Sequence, residues 1–273
     1  MAQLIFKGRD IYYDVKGLGK PFVILNGIMM STKSWEPFME SFSENNMCIR
    51  LDFLDQGQSA KLKSSVYTQD LQVQIIEALI KELNLSKVSI VGISYGGEVA
   101  LEFAVKHPNL VDRLVLFNTT PYTSPWLAEI GYKWNSIGRT RDGKTYYQAT
   151  IPAIYSPSFY ESRLAWMKKR EEILLPIFSN PDFLDAMERL TNSAEHYDVR
   201  DRLDQITAPT LIVAADEDYL TPINNQKYLN EHIKESSLVI LPGVGHASMY
   251  ETPMVFVSLV LGFINTKQTS YQV

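Results

Sequence analysis

One cysteine in 273 residues, Cys48, excludes an internal disulfide. It sits in the apolar run Met47 to Leu51, which marks it as a buried structural thiol rather than a reactive one. Histidine is also scarce, with four in the chain, and no His or Cys pair stands at metal-ligand spacing. No metal and no cofactor are therefore expected. Positive charge is in deficit: 26 Lys and Arg against 31 Asp and Glu leave a net charge of -5. That argues against a nucleic-acid partner or a polybasic membrane contact. No apolar run reaches the ~18 residues that a membrane span needs. The stretch Met254 to Ile264 comes closest and reads as a packed final helix. The opening MAQLIFKGRD lacks a long apolar core of the secretory kind, so a cytoplasmic location is the default. No internal repeat or low-complexity segment is found.

What remains is ordinary globular composition, 45% hydrophobic and 21% charged, in a chain long enough for one large α/β domain with an insertion. Short apolar or β-branched runs read as strands: Ile11 to Val15, Phe22 to Leu25, Cys48 to Leu51, Val88 to Val91, Arg113 to Phe117, Thr210 to Ala214 and Ser237 to Leu241. Helical patterns alternate with them, near Ser34 to Glu44, Gln69 to Leu85, Glu98 to Lys106, Pro222 to His232 and Pro253 to Ile264. Such alternation predicts a mostly parallel sheet with helices on both faces, a three-layer α/β/α sandwich. The rhythm breaks between Pro121 and Asp198. That stretch has no strand-like run, many aromatics and amphipathic segments such as Ser162 to Ile173. It is too long for a loop in a compact domain. The predicted division is a core of residues 1–120 and 199–273 and a helical cap of residues 121–198.

The densest chemical signal is Gly92-Ile93-Ser94-Tyr95-Gly96, placed between a strand-like run and a helix-like run. Strand, sharp turn, helix exposes a serine at the sheet edge and at a helix N-terminus, where free N–H groups favour negative charge. The flanking glycines fit a turn with no room for a Cβ. A serine hydroxyl needs a base and the base needs a carboxylate. His246 lies in a Gly-rich loop just past a strand, at the sheet edge where the serine also emerges. His107 and His232 read as helix-terminal cations, and His196 as surface or hinge packing. Asp216, Glu217 and Asp218 all follow the strand Thr210 to Ala214, so any of them reaches the correct edge.

The order serine, acid, histidine, with the serine in Gly-x-Ser-x-Gly, resembles the α/β-hydrolase fold superfamily. Four further segments carry the resemblance: Leu25-Asn26-Gly27-Ile28, Asp52 to Ser59, Asp218 to Pro222, and Gly245-His246 with Glu251 and Pro253. The resemblance implies a triad of Ser94, Asp218 and His246. It also implies oxyanion donors at the Ile28 and Tyr95 backbone N–H groups, and a cap at residues 121–198. Asn26 stands where this family usually has histidine, and Asp55-Gln56 where it has Gly-His. Locally, Asn-Gly-x-Met, Gly-Gln-Ser and Ser-Tyr-Gly-Gly are similar to a bacterial branch of 3-hydroxyacyl-carrier-protein acyltransferases and thioesterases. Asn26, Met29 and Met249 are candidate substrate-binding residues, since methionine suits a flexible acyl chain.

The expected activity is serine-dependent hydrolysis of an ester or thioester, with a small-molecule or acyl-thioester substrate as partner. An acyltransferase drawing on a 3-hydroxyacyl thioester donor would use the same triad. A non-catalytic ligand receptor or signalling protein of the same fold is the alternative from a different class, and the complete triad argues against it. Dehalogenase and epoxide-hydrolase chemistry needs a carboxylate where Ser94 stands.

Overall fold

The computed structural model describes residues 2–63 and 66–267. Eight strands form one sheet: β1 (Ala2–Phe6), β2 (Arg9–Lys16), β3 (Lys20–Leu25), β4 (Asn46–Leu51), β5 (Val88–Ile93), β6 (Val111–Phe117), β7 (Thr210–Ala215) and β8 (Ser236–Leu241). Their order is β1-β2-β4-β3-β5-β6-β7-β8. The β1/β2 and β2/β4 pairs are antiparallel and the others parallel. The helices, in chain order, are α1 (Met39–Ser43), α2 (Asp70–Glu82), α3 (Tyr95–Lys106), α4 (Pro125–Gly138), α5 (Gly143–Thr150), α6 (Pro157–Ser162), α7 (Leu164–Phe178), α8 (Pro181–Ser193), α9 (Ile223–His232), α10 (Ser248–Glu251) and α11 (Pro253–Asn265).

The two-residue period of the strands builds the layers. On β3, Val23 and Leu25 face one apolar cluster with α2, α3 and α9, and Phe22 and Ile24 face the other with α1 and α11. Every residue of β5 and of β7 is buried, as continuous apolar strands in a doubly covered sheet must be. The three-layer α/β/α sandwich expected from the alternation is what the chain forms.

Two elements depart from the sequence reading. β1 had no counterpart in it, although the residues alternate: Leu4 and Phe6 are buried and Ile5 is exposed. Its pairing with β2 through the tight turn at Lys7 and Gly8, both at positive φ, makes it an edge strand. The helix expected near Ser34 to Glu44 is a 3-10 helix, Thr32–Phe38, followed by the short α1. Pro37 lies inside the first of these, where its missing N–H and its clash with the preceding residue disfavour a regular α-helix. Cys48 is fully buried, and burial pushes its thiol up to about 12, as befits an inert packing residue.

Between β6 and β7 the chain forms α4 to α8 and no strand of the sheet. It enters and leaves this insert side by side: Thr123 N–H donates to Tyr197 O and Val199 N–H to Pro121 O. Polar contacts fasten the insert to the core at several points, including Trp126 Nε1–H to Tyr219 O. Arg189 of α8 makes a forked ion pair with Asp55, whose side chain is fully buried. Ser193 meets the Tyr95 hydroxyl at 2.9 Å. The Ser156 N–H and hydroxyl donate to Glu251.

Candidate active site

Parallel strands point their C-terminal ends the same way, so the loops leaving β3, β5, β6, β7 and β8 share one edge. Asn26 to Ile28 follows β3, Ser94 follows β5, Asn118 follows β6, Asp218 lies past β7, and His246 lies past β8. This topology alone brings residues separated by up to 152 positions into contact.

Ser94 has φ 54° and ψ -124°, outside the usual regions for a residue with a Cβ. Such a conformation costs about 1–3 kcal/mol and persists only where the surroundings enforce it. The flanking glycines allow it. A Cβ on Gly92 would lie 2.6 Å from the Gly96 carbonyl oxygen, and one on Gly96 would lie 2.6 Å from that of Leu25. Strand, elbow and helix therefore pack backbone against backbone. Ser94 N–H donates to Phe117 O and the Thr119 hydroxyl to Ser94 O, which ties the turn to the end of β6.

Ser94 Oγ is 2.9 Å from His246 Nε2, and His246 Nδ1 is 2.8 Å from Asp218 Oδ2. Burial works against charge on Asp218. The adjacent His246 imidazole and hydrogen bonds from His246, Thr221 and Asn118 outweigh it and hold the carboxyl below its usual value. An ionised carboxylate only accepts hydrogen bonds, so His246 carries its proton on Nδ1 and presents a free Nε2 to the serine. Asp218 Oδ1 accepts from the Leu220 and Thr221 N–H groups, and Oδ2 from Thr221 Oγ1 and Asn118 Nδ2. Asp216 instead accepts from Gly243 N–H at 2.7 Å and braces the loop leading to His246.

The Tyr95 N–H heads α3 and has no intrahelical partner. The Ile28 N–H likewise has no acceptor among the described residues. Both Ile28 and Tyr95 border a cavity of about 880 Å³ that also exposes Ser94 and His246. Met29 and Met249 line this cavity as the sequence suggested. Asn26 does not. It is fully buried, its Nδ2 donates to Leu51 O and Gln56 Oε1, and its Oδ1 accepts from Trp35 Nε1. An amide can satisfy three polar groups of the core at once, and this side chain is buried in the core and does not line the cavity. The other histidines stand where expected: His107 and His232 at helix ends and His196 exposed.

Three residues carry more of the site than the sequence reading gave them. Gln56 Nε2 donates to the carbonyls of both Gly27 and Ile28 and so holds the loop that offers the Ile28 N–H. Asn118, at φ 47°, links Asp218 to the Ser248 hydroxyl. Glu98 lies one helical turn after Ser94 and lines the cavity. Burial pushes its carboxyl up to about 7, against the opposing effects of the Gln69 amide and His246. Gln56 was visible only as a departure from the family pattern. Asn118 and Glu98 gave no signal, because their partners come from other strands and helices.

Among the described residues, no group of three or more His, Cys, Asp or Glu could hold a metal ion, and no helix is long and apolar enough to cross a membrane.

Comparison with known proteins agrees with the topology. The family model described as alpha/beta hydrolase fold matches residues 20–253. MGS-M2, an alpha/beta hydrolase enzyme from a Medee basin deep-sea metagenome library, is 49% identical, with a TM-score of 0.97 and full coverage of both chains. A pimeloyl-[acyl-carrier protein] methyl ester esterase of Nitrosomonas europaea is 26% identical over 259 residues, which cover 91% of this chain and 97% of that one. The enol-lactonase from Burkholderia xenovorans, 19% identical, shares the fold with a TM-score of 0.83 over 97% of this chain and all of that one. The chain thus belongs to the alpha/beta hydrolase fold family and is a hydrolase of that type.

Proposed function

We propose that this enzyme is a serine-dependent acyl hydrolase that cleaves a carboxylic ester or thioester through an acyl-enzyme on Ser94. One observation carries the reading: the unbroken line from Ser94 Oγ through His246 to Asp218, with contacts of 2.9 and 2.8 Å. His246 Nε2 takes the hydroxyl proton as Ser94 Oγ attacks the carbonyl carbon. Asp218 stabilises the imidazolium that forms. The negative oxygen of the tetrahedral intermediate accepts from the N–H groups of Ile28 and Tyr95. The intermediate collapses, the leaving alcohol or thiol takes the proton from His246, and Ser94 is left acylated. Water, deprotonated by the same imidazole, attacks the acyl-enzyme and releases the acid.

The cavity supports an acyl substrate. Met29 and Met249 border the nucleophile, and flexible thioethers adapt to alkyl chains of different shape. The Nitrosomonas relative is by name an esterase of an acyl-carrier-protein substrate, which accords with that chemistry.

The test is rapid-mixing kinetics with p-nitrophenyl esters and acyl thioesters of increasing chain length. The expected result is an optimum chain length and a turnover that falls about 10⁴-fold or more in Ser94→Ala. Turnover by Ser94→Ala at the wild-type rate would refute the nucleophile.

A further inference from the structure

The cavity is bordered by an arginine that no described carboxylate neutralises. Arg170 projects from α7 into the same space as Ser94. Its guanidinium lies 4.5 Å from the ring centre of Tyr250 and 5.3 Å from that of Trp166. Tyr250 is fixed in turn by its hydroxyl, which donates to Ser34 O. Two aromatic faces therefore orient the guanidinium plane, and the Tyr155 hydroxyl lies close enough to interact with one of its edges.

No described carboxylate forms an ion pair with Arg170, and its Nε–H is buried without an acceptor. The other arginines of the insert behave differently. Arg139 pairs with Glu188, Arg141 with Asp185 and Arg189 with Asp55. Arg163, at the N-cap of α7, lies outside the cavity. Leaving a buried guanidinium N–H unpaired is costly, and a cation beside an apolar cavity has lost much of its hydration. Such a group is completed by an anion that enters with the substrate. A planar fork of N–H donors matches a carboxylate in two-point geometry.

We propose that Arg170 makes this cavity selective for an ester or thioester that carries a second, free carboxylate, on either its acyl or its alcohol portion. The inference rests on Ser94 being the nucleophile of an acyl hydrolase, and it adds the substrate's charge to that reading. The rest of the cavity is consistent with it. The acidic residues bordering the cavity, Glu98 on α3 and Glu195 just past α8, stand on other elements than α7, so a carboxylate bound at Arg170 meets the guanidinium and aromatic rings. Lys33, also bordering the cavity, stands next to the Ser34 that anchors Tyr250, and adds positive potential on that side.

The test compares two matched series. In one, p-nitrophenyl hemiesters of straight-chain diacids of six to eight carbons are set against the neutral monoacid esters of equal length. In the other, the carboxylate is on the alcohol. The readout is the ratio of kcat/KM for the anionic member to that for the neutral member. Wild type should favour the anionic member in one series, and Arg170→Met should lower that ratio about 10–100-fold, the range for one lost charge-assisted pair. Arg170→Lys, which keeps the charge but loses the fork, should fall between. Equal handling of both members in both series, or an equal loss on both members in Arg170→Met, would overturn the proposal and leave Arg170 as a pillar between α7 and α10. Labelling of the wild type by a fluorophosphonate separates the two readings: labelled enzyme without charge preference refutes only the role of Arg170, whereas unlabelled enzyme refutes the nucleophile beneath it.

Discussion

Gln56 Nε2 donates to the Ile28 carbonyl at 3.1 Å and to the Gly27 carbonyl at 2.9 Å. Its Oε1 accepts from Asn26 Nδ2 at 3.0 Å. Two adjacent peptide groups and the side chain before them are thus held by one amide. The peptide that carries the Ile28 N–H is among them, so Gln56 aims a backbone donor that no side-chain change can remove directly.

Replacing Gln56 by Leu leaves two buried carbonyls and the Asn26 amide short of partners. We expect kcat to fall about 10–100-fold with KM changed much less, because a donor to a developing oxyanion acts in the transition state. Gln56→Glu retains an acceptor for Asn26 but no donor for the carbonyls, and should be impaired as well. Steady-state kinetics on one p-nitrophenyl ester checks both variants. A rise in KM at constant kcat would show instead that the loop binds ground-state substrate.

The Asp55–Arg189 pair makes a second prediction, about stability. The Asp55 side chain is fully buried and Arg189 contributes two N–H groups to it. Removing Arg189 leaves a buried carboxylate with the Tyr67 hydroxyl and the Leu62 N–H as its remaining partners. Arg189→Ala should cost about 3 kcal/mol, the usual penalty for breaking a buried pair from one side. Since Asp55 lies in the core and Arg189 in the insert, the loss should be read by urea unfolding and by faster proteolysis between Pro121 and Asp198. A variant as stable and as resistant as wild type would show that the pair is solvated in solution.

Glu98 gives a pH prediction with a definite sign. Its folded-state pKa, about 7, is raised from an ordinary value of 4.5. The folded protein therefore binds more protons than the unfolded chain between these limits, and stability contributed by this position falls as pH rises from 4.5 to 7. Glu98→Gln removes the ionisation while keeping an acceptor for the Gln69 amide. Its melting temperature relative to wild type should climb across that window and level off above it, with a plateau gain of at most about 3 kcal/mol. Thermal melts at pH 4.5, 6, 7 and 8 check this. A difference that does not change with pH would mean that Glu98 ionises normally.

The parts of the site legible in the sequence were those with local signatures. Ser94 stands between two glycines that the turn requires, and His246 sits in a glycine-flanked loop after an apolar strand. The serine's strand and helix were readable because β5 is rich in Val and Ile and α3 follows it at once. Asp218 was harder. Three acidic residues follow β7, and no periodicity tells them apart; the contacts of Asn118 and of His246 select Asp218, and both arise from tertiary packing. Asn26 looked like a substrate ligand because it opens the oxyanion loop, but its side chain turns back to Trp35, a partner nine residues away on an element read as an ordinary helix. Arg170 was invisible for a similar reason. In an amphipathic stretch rich in Lys, Arg and Glu, every charge reads as solvated, and only the fold shows which one faces Tyr250.

The central claim is that Ser94 is a nucleophile activated by His246. The most direct measurement is intact-protein mass spectrometry after incubation with a fluorophosphonate, followed by peptide mapping. The account predicts one adduct per chain, located on Ser94, absent in Ser94→Ala and strongly slowed in His246→Ala. No adduct on the wild type, or an adduct that persists in Ser94→Ala, would contradict it.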